Sequence, residues 1–313
     1  MRNPNRIYIY TPRKRLPSLR HLRSHFFAIR QKMMGKSNGP SEVLKSVSRC
    51  AELKRFRKLS QIPSEATIWI PDQEESFLEF SRVEKFSQRR VIFGPNIRVQ
   101  ESIVARTIRE IPNYLILVPS NSMKNILLKM QPDYLPDRIR VWPAGIDIEN
   151  WKPSDKKTHN RVVVYSKGPD NKAATEYAIA KIKARGFQID HFQYGHYRQR
   201  EFKNSLDGAK FTVWIGHTET QGIAQFQTWA MNVPTFILCL DSKTLLEPRG
   251  DLVSPAPYLS EQTGMISSTR FFQESDLEKF IGRLDQYSPR VWVQQNATDE
   301  ISAKILMKMI NNE

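Results

Sequence analysis

The chain has 313 residues, 40% of them apolar, which suits two ordinary hydrophobic cores. No segment approaches the ~20 uninterrupted apolar residues of a membrane-spanning helix, and the opening residues MRNPNRIYIYTPRKR hold no apolar core of secretory-signal length. The formal net charge is +16, and residues 1–60 carry +14 of it, with sixteen Lys or Arg against Glu42 and Glu52.

That asymmetry favours a polyanionic partner for the N-terminal region: nucleic acid, an anionic lipid surface or an acidic glycan. The plain alternative is a solvated basic face. In chain order, the pattern predicts a strand at Ile7–Tyr10, helices at Leu19–Gln31 and Ser41–Lys58, strands at Thr67–Ile70 and Val91–Phe93, and a helix at Gln100–Arg109. A strand at Tyr114–Val118, a helix at Asn121–Met130 and a strand at Ile139–Trp142 close the first series. Pro143, Pro153 and the polar run Ser154 to Asn160 mark a linker. The second series has strands at Arg161–Tyr165, Gln188–Phe192, Phe211–Ile215 and Thr235–Leu240. Its helices are Asn171–Arg185, Gly222–Met231, Ser275–Leu284 and Thr298–Ile310. Asn171 reads as an N-cap and Gly186 as the glycine that ends that helix; Ser275 reads as an N-cap with Glu278 completing a capping box.

Strands alternating with helices imply parallel sheets covered on both faces. The expected architecture is α/β: two doubly wound, Rossmann-like domains facing a cleft, with ligands at the carboxyl ends of the strands. The expected bounds are 1–150 for an N-terminal domain, 151–295 for a C-terminal ligand-binding domain, and 296–313 for a last helix that packs back on the body.

The segment from His217 to Pro234 carries the most chemistry. A strand ends near Ile215, a loop holds Glu219, and a helix starts at Gly222. A helix start offers free N–H groups and positive dipole character to a phosphate, and Gly222 lets an anion come close to the backbone. Ile223, Phe226, Ala230 and Met231 make the apolar face. Gln227 falls on that face and needs a hydrogen-bond partner, whether backbone or ligand. His217 either lines the pocket or is a hydrogen-bonded loop histidine. Tyr194, His196, Tyr197 and Arg198 are candidates to border a nucleobase. In the first domain, Asp72 is the candidate acid or base, with an exposed loop acid as the alternative.

Other chemistries lack their patterns. No CxxC or HExxH metal motif, G-x-S-x-G elbow or Walker A lysine loop occurs, so no metal and no cofactor is expected. Cys50 and Cys239 lie far apart, which fits a reduced, cytoplasmic protein.

Residues 219–234 resemble the E-x7-E signature of the retaining GT-B glycosyltransferases, the glycosyl transferases of group 1. Glu219, Thr220, Gly222, Ala230 and Pro234 fall in register, and Gln227 stands where the family has its second Glu. Val141 to Asp147, with Trp151 and Pro153, is similar to the family's interdomain segment, with Ala144 for its Asn and Trp151 for its Phe. Lys167 and Lys172, five apart across Gly168, stand where the family carries an Arg and a Lys after the first C-domain strand. The basic loop after Tyr10 lacks the family's glycines, and the loop Pro71 to Glu75 lacks its His.

The resemblance implies a nucleotide diphosphate-sugar as donor substrate. Lys167 and Lys172 would neutralise its diphosphate, Glu219 would contact the donor sugar and Gln227 the ribose. Gly168, His217, Thr220, Gln221 and Gly222 would complete the donor site. It also implies retention of configuration, independence of metal, a C-terminal helix that crosses to the first domain, and a glycan or lipid-linked acceptor. Residues 1–60 would then meet an acidic acceptor or the anionic cytoplasmic face of a membrane. The rival expectation is a non-catalytic GT-B-like module that binds nucleic acid or another polyanion through its basic N-terminus.

Overall fold

The computed structural model describes residues 6–10, 39–71, 77, 80, 89–95, 107–108, 110–131, 134–154, 160–168, 171–239, 254–267 and 273–311. They form two compact units, one from residues 6–145 with 299–311 and one from 146–298. The helix predicted at Leu19–Gln31, most of the helix at Gln100–Arg109, the basic residues between 11 and 38 and Asp72 lie outside the described residues.

The first unit is built on a six-stranded parallel sheet. Its strands are β1 (Arg6–Tyr10), β2 (Glu52–Phe56), β3 (Ile68–Ile70), β4 (Val91–Phe93), β5 (Tyr114–Val118) and β6 (Ile139–Val141), in the order β2-β1-β3-β4-β5-β6. The central strands β3, β4 and β5 are buried along their whole length, as their unbroken apolar runs require of a parallel sheet covered on both faces. Helices α1 (Gly39–Cys50) and α2 (Asn121–Met130) belong to this unit, and the Ser120 hydroxyl caps α2 by accepting from the Met123 N–H.

The predicted helix Ser41–Lys58 is corrected here. Its first half is α1; its second half is β2, the edge strand, paired in parallel to β1 from Arg6↔Glu52 to Tyr10↔Phe56. The five residues ELKRF are largely solvated on both faces. An edge strand of that kind shows no apolar alternation, and its charges guard the open edge. The amphipathic period of α1 therefore ran on in the sequence without a visible break.

The second unit holds a five-stranded parallel sheet: β7 (Arg161–Lys167), β8 (Gln188–Gln193), β9 (Phe211–Gly216), β10 (Thr235–Cys239) and β11 (Gly264–Ser267), in the order β11-β10-β9-β7-β8. Alternate side chains of each strand go to opposite faces. Val163, Tyr165, Trp214 and Ile237 meet helices α4 (Gln199–Leu206), α5 (Ile223–Ala230) and α7 (Pro289–Asn296) through Phe202, Leu206, Phe226, Trp229 and Val293. Val162, Val164, Phe211, Val213 and Leu238 meet α3 (Lys172–Lys183) and α6 (Glu274–Ile281) through Ala174, Ala178, Ile182, Leu277 and Phe280. On the first face Tyr165 stacks on Trp214 at 4.0 Å between ring centroids.

Besides β2 and the short 3-10 turns, three elements among the described residues were not anticipated. Gly264–Ser267 is too short for a period, and α4 and α7 are each only two turns long. Two caps are also corrected. Ser275 lies inside α6, whose N-cap is Gln273 without a side-chain bond. Asn171 holds the N-cap position of α3 but does not cap it with its side chain. The last helix, α8 (Asp299–Asn311), is part of the first unit and packs on α1.

The linker motif has a packing reason within the first unit. A Cβ on Gly145 would run into the Ser46 hydroxyl and the Asp299 backbone, so α1, α8 and this turn can close only around glycine. Buried Trp142 donates from Nε1 to the Ser302 carbonyl at 2.9 Å, and Arg49 pairs with Asp299.

Candidate functional site

Strand order locates a site before any side chain is considered. In the second sheet the chain passes from β7 outward to β8, then returns to the other side of β7 for β9. Between β7 and β9 the connections leave in opposite directions, and a crevice opens at the carboxyl ends of these two strands. Lys167 is the last residue of β7, paired with Gly216, the last of β9. A Cβ on Gly216 would stand 3.4 Å from Lys167 Cβ, an ordinary contact distance, so the two strand ends lie side by side.

Lys167 Nζ lies 2.9 Å from Glu219 Oε2, with the two side chains only 22% and 13% exposed. The ammonium also sits 5.0 Å from the Tyr194 ring centroid, a cation–π distance. The other carboxylate oxygen of Glu219 accepts from the Thr220 N–H at 3.1 Å. The Glu219 N–H donates to the Ser254 carbonyl at 2.8 Å, which fixes the loop that presents the carboxylate.

Asn171 ties the two strand ends together. Its side-chain amide donates to the carbonyls of Lys167 and Ile215, the second at 3.3 Å. Its role is thus to brace the switch point rather than to cap α3. Gly168 takes a φ of +114°, and a Cβ there would meet the Asn171 amide at 3.3 Å.

The helix start behind Glu219 is glutamine-rich and buried. Gly222 is the N-cap of α5, at φ +73° and ψ 30°. A Cβ there would stand 2.9 Å from Gln225 Oε1. Gln225 is fully buried and anchored by its Nε2 on the Pro255 carbonyl at 2.8 Å, while its Oε1 accepts no bond. Gln221 Nε2 and Gln227 Oε1 are likewise buried without a hydrogen-bond partner. Four buried amide-type atoms in this neighbourhood, counting Asn171 Oδ1, are left unsatisfied. Buried polar groups in native proteins are seldom so, and a polar ligand or ordered water is the usual remedy.

Helix α5 is more deeply held than one apolar face implies: Gln225 to Ala230 are all buried. Trp292 of α7 packs on Phe226 and Trp229, and Tyr258 packs on Phe226. Arg290 clamps its far end, donating to the carbonyls of Ala230, Trp151 (2.9 Å) and Ile148 (3.1 Å). A guanidinium at a helix C-terminus complements the dipole as well as the free carbonyls.

No protein-family model and no curated protein matches the chain in sequence. Solved structures do match it in shape. A chain of the GtfA/B complex superposes with a TM-score of 0.52 at 13% identity, over 81% of this chain; this chain spans only 59% of that one. The lipopolysaccharide outer core galactosyltransferase WaaB gives 0.51 at 8% identity, covering 98% of this chain and 99% of that one. Sucrose-phosphate synthase from Thermosynechococcus elongatus gives 0.50 at 9%, covering 98% of each. The fold is GT-B.

On this GT-B frame the structure brings Lys167, Gly168, Glu219, Thr220 and Gly222 to the switch point. Gln221 and Gln227 are buried beside them, and His217 is half-buried just after β9. Lys172 is placed differently from Lys167. It is 85% exposed at the start of α3, and its ammonium faces Glu176 one turn on at 3.9 Å. The group of four nucleobase candidates splits. Tyr194 is 57% exposed beside Lys167, whereas Tyr197 turns into the core among Tyr165, Phe192 and Phe202. Burial pushes the Tyr197 phenol up to about 12. Alternating aromatics at 192, 194 and 197 did not reveal which would be buried. Asn171, Gln225 and Arg290 were missed as site-builders; only the Gln225 side chain, an amide on an otherwise apolar helix, gave a signal. Among the described residues no group of three or more His, Cys, Asp or Glu stands together as a metal-binding set, and no helix is long and apolar enough to cross a membrane.

Proposed function

We propose that the protein transfers a sugar from a nucleotide diphosphate-sugar to an acidic or membrane-associated glycan or lipid-linked acceptor. The observation that carries this reading is the buried-edge pair Lys167–Glu219 set against the first turn of α5 at the switch point. Lys167 and the free N–H groups after Gly222 are placed to take the charge that grows on a leaving diphosphate, the kind of stabilisation that usually dominates catalysis. Lys172 adds charge from the start of α3. Its exposed i,i+4 pair with Glu176 is worth only about 0.2–0.5 kcal/mol, so a phosphate competes easily for it. Glu219 then exchanges its lysine for sugar hydroxyls, and Gln227 takes the ribose with its unpartnered Oε1.

Metal independence belongs to the same proposal, as lysines and helix amides supply the neutralising charge, and retention of configuration belongs to it through the likeness of residues 219–234 to the E-x7-E motif. Several structures of like fold are named as glycosyltransferases, among them WaaB, a lipopolysaccharide galactosyltransferase. The test is a panel of nucleotide-sugars scored for nucleotide diphosphate release, with Glu219→Gln as the paired control. Release from no donor, or equal release by the variant, overturns the reading. The second reading, a non-catalytic GT-B-like module for a polyanion, rests on Gln227 in place of a Glu and on the +14 of residues 1–60. It predicts nucleic-acid or polyanion binding with no turnover.

A further inference from the structure

The amino ends of the first sheet hold an arrangement that the proposed transfer does not use. Arg90 stands immediately before β4, and its carbonyl accepts from the Ile68 N–H at 2.9 Å. Arg138 closes the short 3-10 turn Pro136–Arg138 immediately before β6. β5 runs between these strands, with Val91↔Tyr114 and Ile116↔Ile139 in register, so both arginines flank the amino end of β5. The Arg138 guanidinium lies 5.7 Å from the Tyr114 ring centroid and donates weakly to the Tyr114 carbonyl at 3.4 Å.

Arg90 is the anomaly. Its Nη1 is shut away from solvent and finds no hydrogen-bond partner. Burial and the neighbouring Arg138 charge both pull its pKa below the ordinary arginine value. Among the described residues neither arginine forms an ion pair, and the acid next in the chain, Asp137, is exposed and pairs with neither. A buried lysine escapes such a place by losing its proton; a guanidinium stays charged. The Arg90 side chain as a whole is only half-buried, so a single N–H of a charged group goes unmatched, and a second cation alongside adds to the cost. An anion at the half-exposed side of the pair offsets the repulsion between the two guanidinium groups, because the planar fork of Arg matches two oxygens of a phosphate or carboxylate.

We infer that Arg90 and Arg138 form an oxyanion site for a phosphate group at the amino-terminal edge of the first sheet. Ligand crevices in doubly wound sheets open at the carboxyl ends, which here are marked by Tyr10, Ile70 and Phe93. The site therefore lies at the opposite end of its own sheet from any substrate crevice, and its occupant is an anchor or effector rather than a reactant. The phosphate has two sources. One is a soluble phosphate or phosphate ester. The other is a phospholipid headgroup, for which Leu135, 53% exposed three residues from Arg138, and the exposed Arg140 offer adjoining apolar and cationic contact.

The experiment uses the full chain and four proteins: unaltered, Arg90→Met, Arg138→Gln and Lys167→Ala. Melting is recorded in sodium phosphate and in sodium chloride at matched ionic strength, and inorganic phosphate is titrated by calorimetry. Phosphate should raise the melting temperature of the unaltered protein; Lys167→Ala, which lacks the switch-point lysine, should keep part of that gain, and both arginine variants should lose most of it. Affinity for phosphate should fall at least tenfold in Arg138→Gln, whose half-exposed position keeps it foldable if Arg90→Met is not. Sedimentation with phosphatidylcholine vesicles, with and without phosphatidic acid, separates the sources. Acid-lipid binding that drops severalfold in Arg138→Gln identifies a headgroup; unchanged vesicle binding with the phosphate effect intact identifies a soluble phosphate. A phosphate response equal in all four proteins, or one lost only in Lys167→Ala, overturns the site. Because the readout is anion binding and not turnover, failure of the transferase proposal leaves this result standing.

Discussion

At the scale of single residues, the site depends on how few groups share the charge at the switch point. Replacing Lys167 by Ala removes a charge-assisted contact worth roughly 1.5–3 kcal/mol. Affinity for a nucleoside diphosphate should then fall about tenfold or more, with little change for the nucleoside. Calorimetry with both ligands checks this; equal losses would place the lysine's effect in folding. Glu219→Gln keeps the shape and loses the charge, so sugar transfer should nearly vanish while nucleotide affinity holds. Gln227 offers a sharper experiment because its Oε1 is buried without a partner. A carboxylate at that position gains a stronger bond only where a ribose supplies hydroxyls; otherwise it is an unpaired buried charge costing several kcal/mol. Melts of Gln227→Glu with and without nucleotide should show a loss that nucleotide reverses. A loss that persists makes Gln227 a core residue.

At the scale of elements, α5 is held at both ends, and its N-terminus is only as well aimed as those holds allow. Gly222→Ala meets two obstacles: a left-handed φ of +73° and a Cβ 2.9 Å from Gln225 Oε1. The expected cost is about 1–2 kcal/mol from the backbone alone, with weaker phosphate binding as the helix start shifts. At the other end, Arg290→Met strips the clamp from the carbonyls of Ile148, Trp151 and Ala230. Hydrogen bonds from a charged donor are worth about 1.5–3 kcal/mol, so denaturant melts should reveal a loss of that size, and hydrogen exchange should quicken at 148–151 and 230–232. Unchanged exchange there would mean that the aromatic packing of Phe226, Trp229 and Trp292 holds α5 unaided.

At the scale of the whole molecule, residues far apart in sequence complete the first unit. α8 lies on α1, its Leu306 is fully buried, and its Ser302 carbonyl satisfies Trp142. Truncation after Thr298 should therefore weaken β1 to β6 while sparing β7 to β11. Hydrogen exchange followed by mass spectrometry tests this, and an equal loss in both sheets would count against it. The charge of residues 1–60 also acts at this scale. Each Lys or Arg near an anionic bilayer contributes on the order of 1 kcal/mol, so vesicle binding should appear at low salt and fade as salt rises. Binding insensitive to salt would remove the electrostatic account.

Much of this was legible in the sequence. Apolar runs such as Val91–Phe93 and Tyr114–Val118 match their strands residue for residue, because a strand buried on both faces must be apolar throughout. The junction before α5 was legible for a local reason too, since a helix entered through a left-handed residue calls for the glycine that stands at 222. The edge strand β2 was not, because solvated strands lack a period. Nor were the partnerships that make the site. Asn171 bracing two strand ends, Tyr194 left out and Tyr197 taken in, Lys172 turned to Glu176, and Arg90 stranded beside Arg138 all depend on groups that neighbour one another only after folding. Periodicity and turn chemistry act over a few residues and are determined by the sequence itself. Which polar side chains find partners, and which are left without one, is decided only when distant strands come into register.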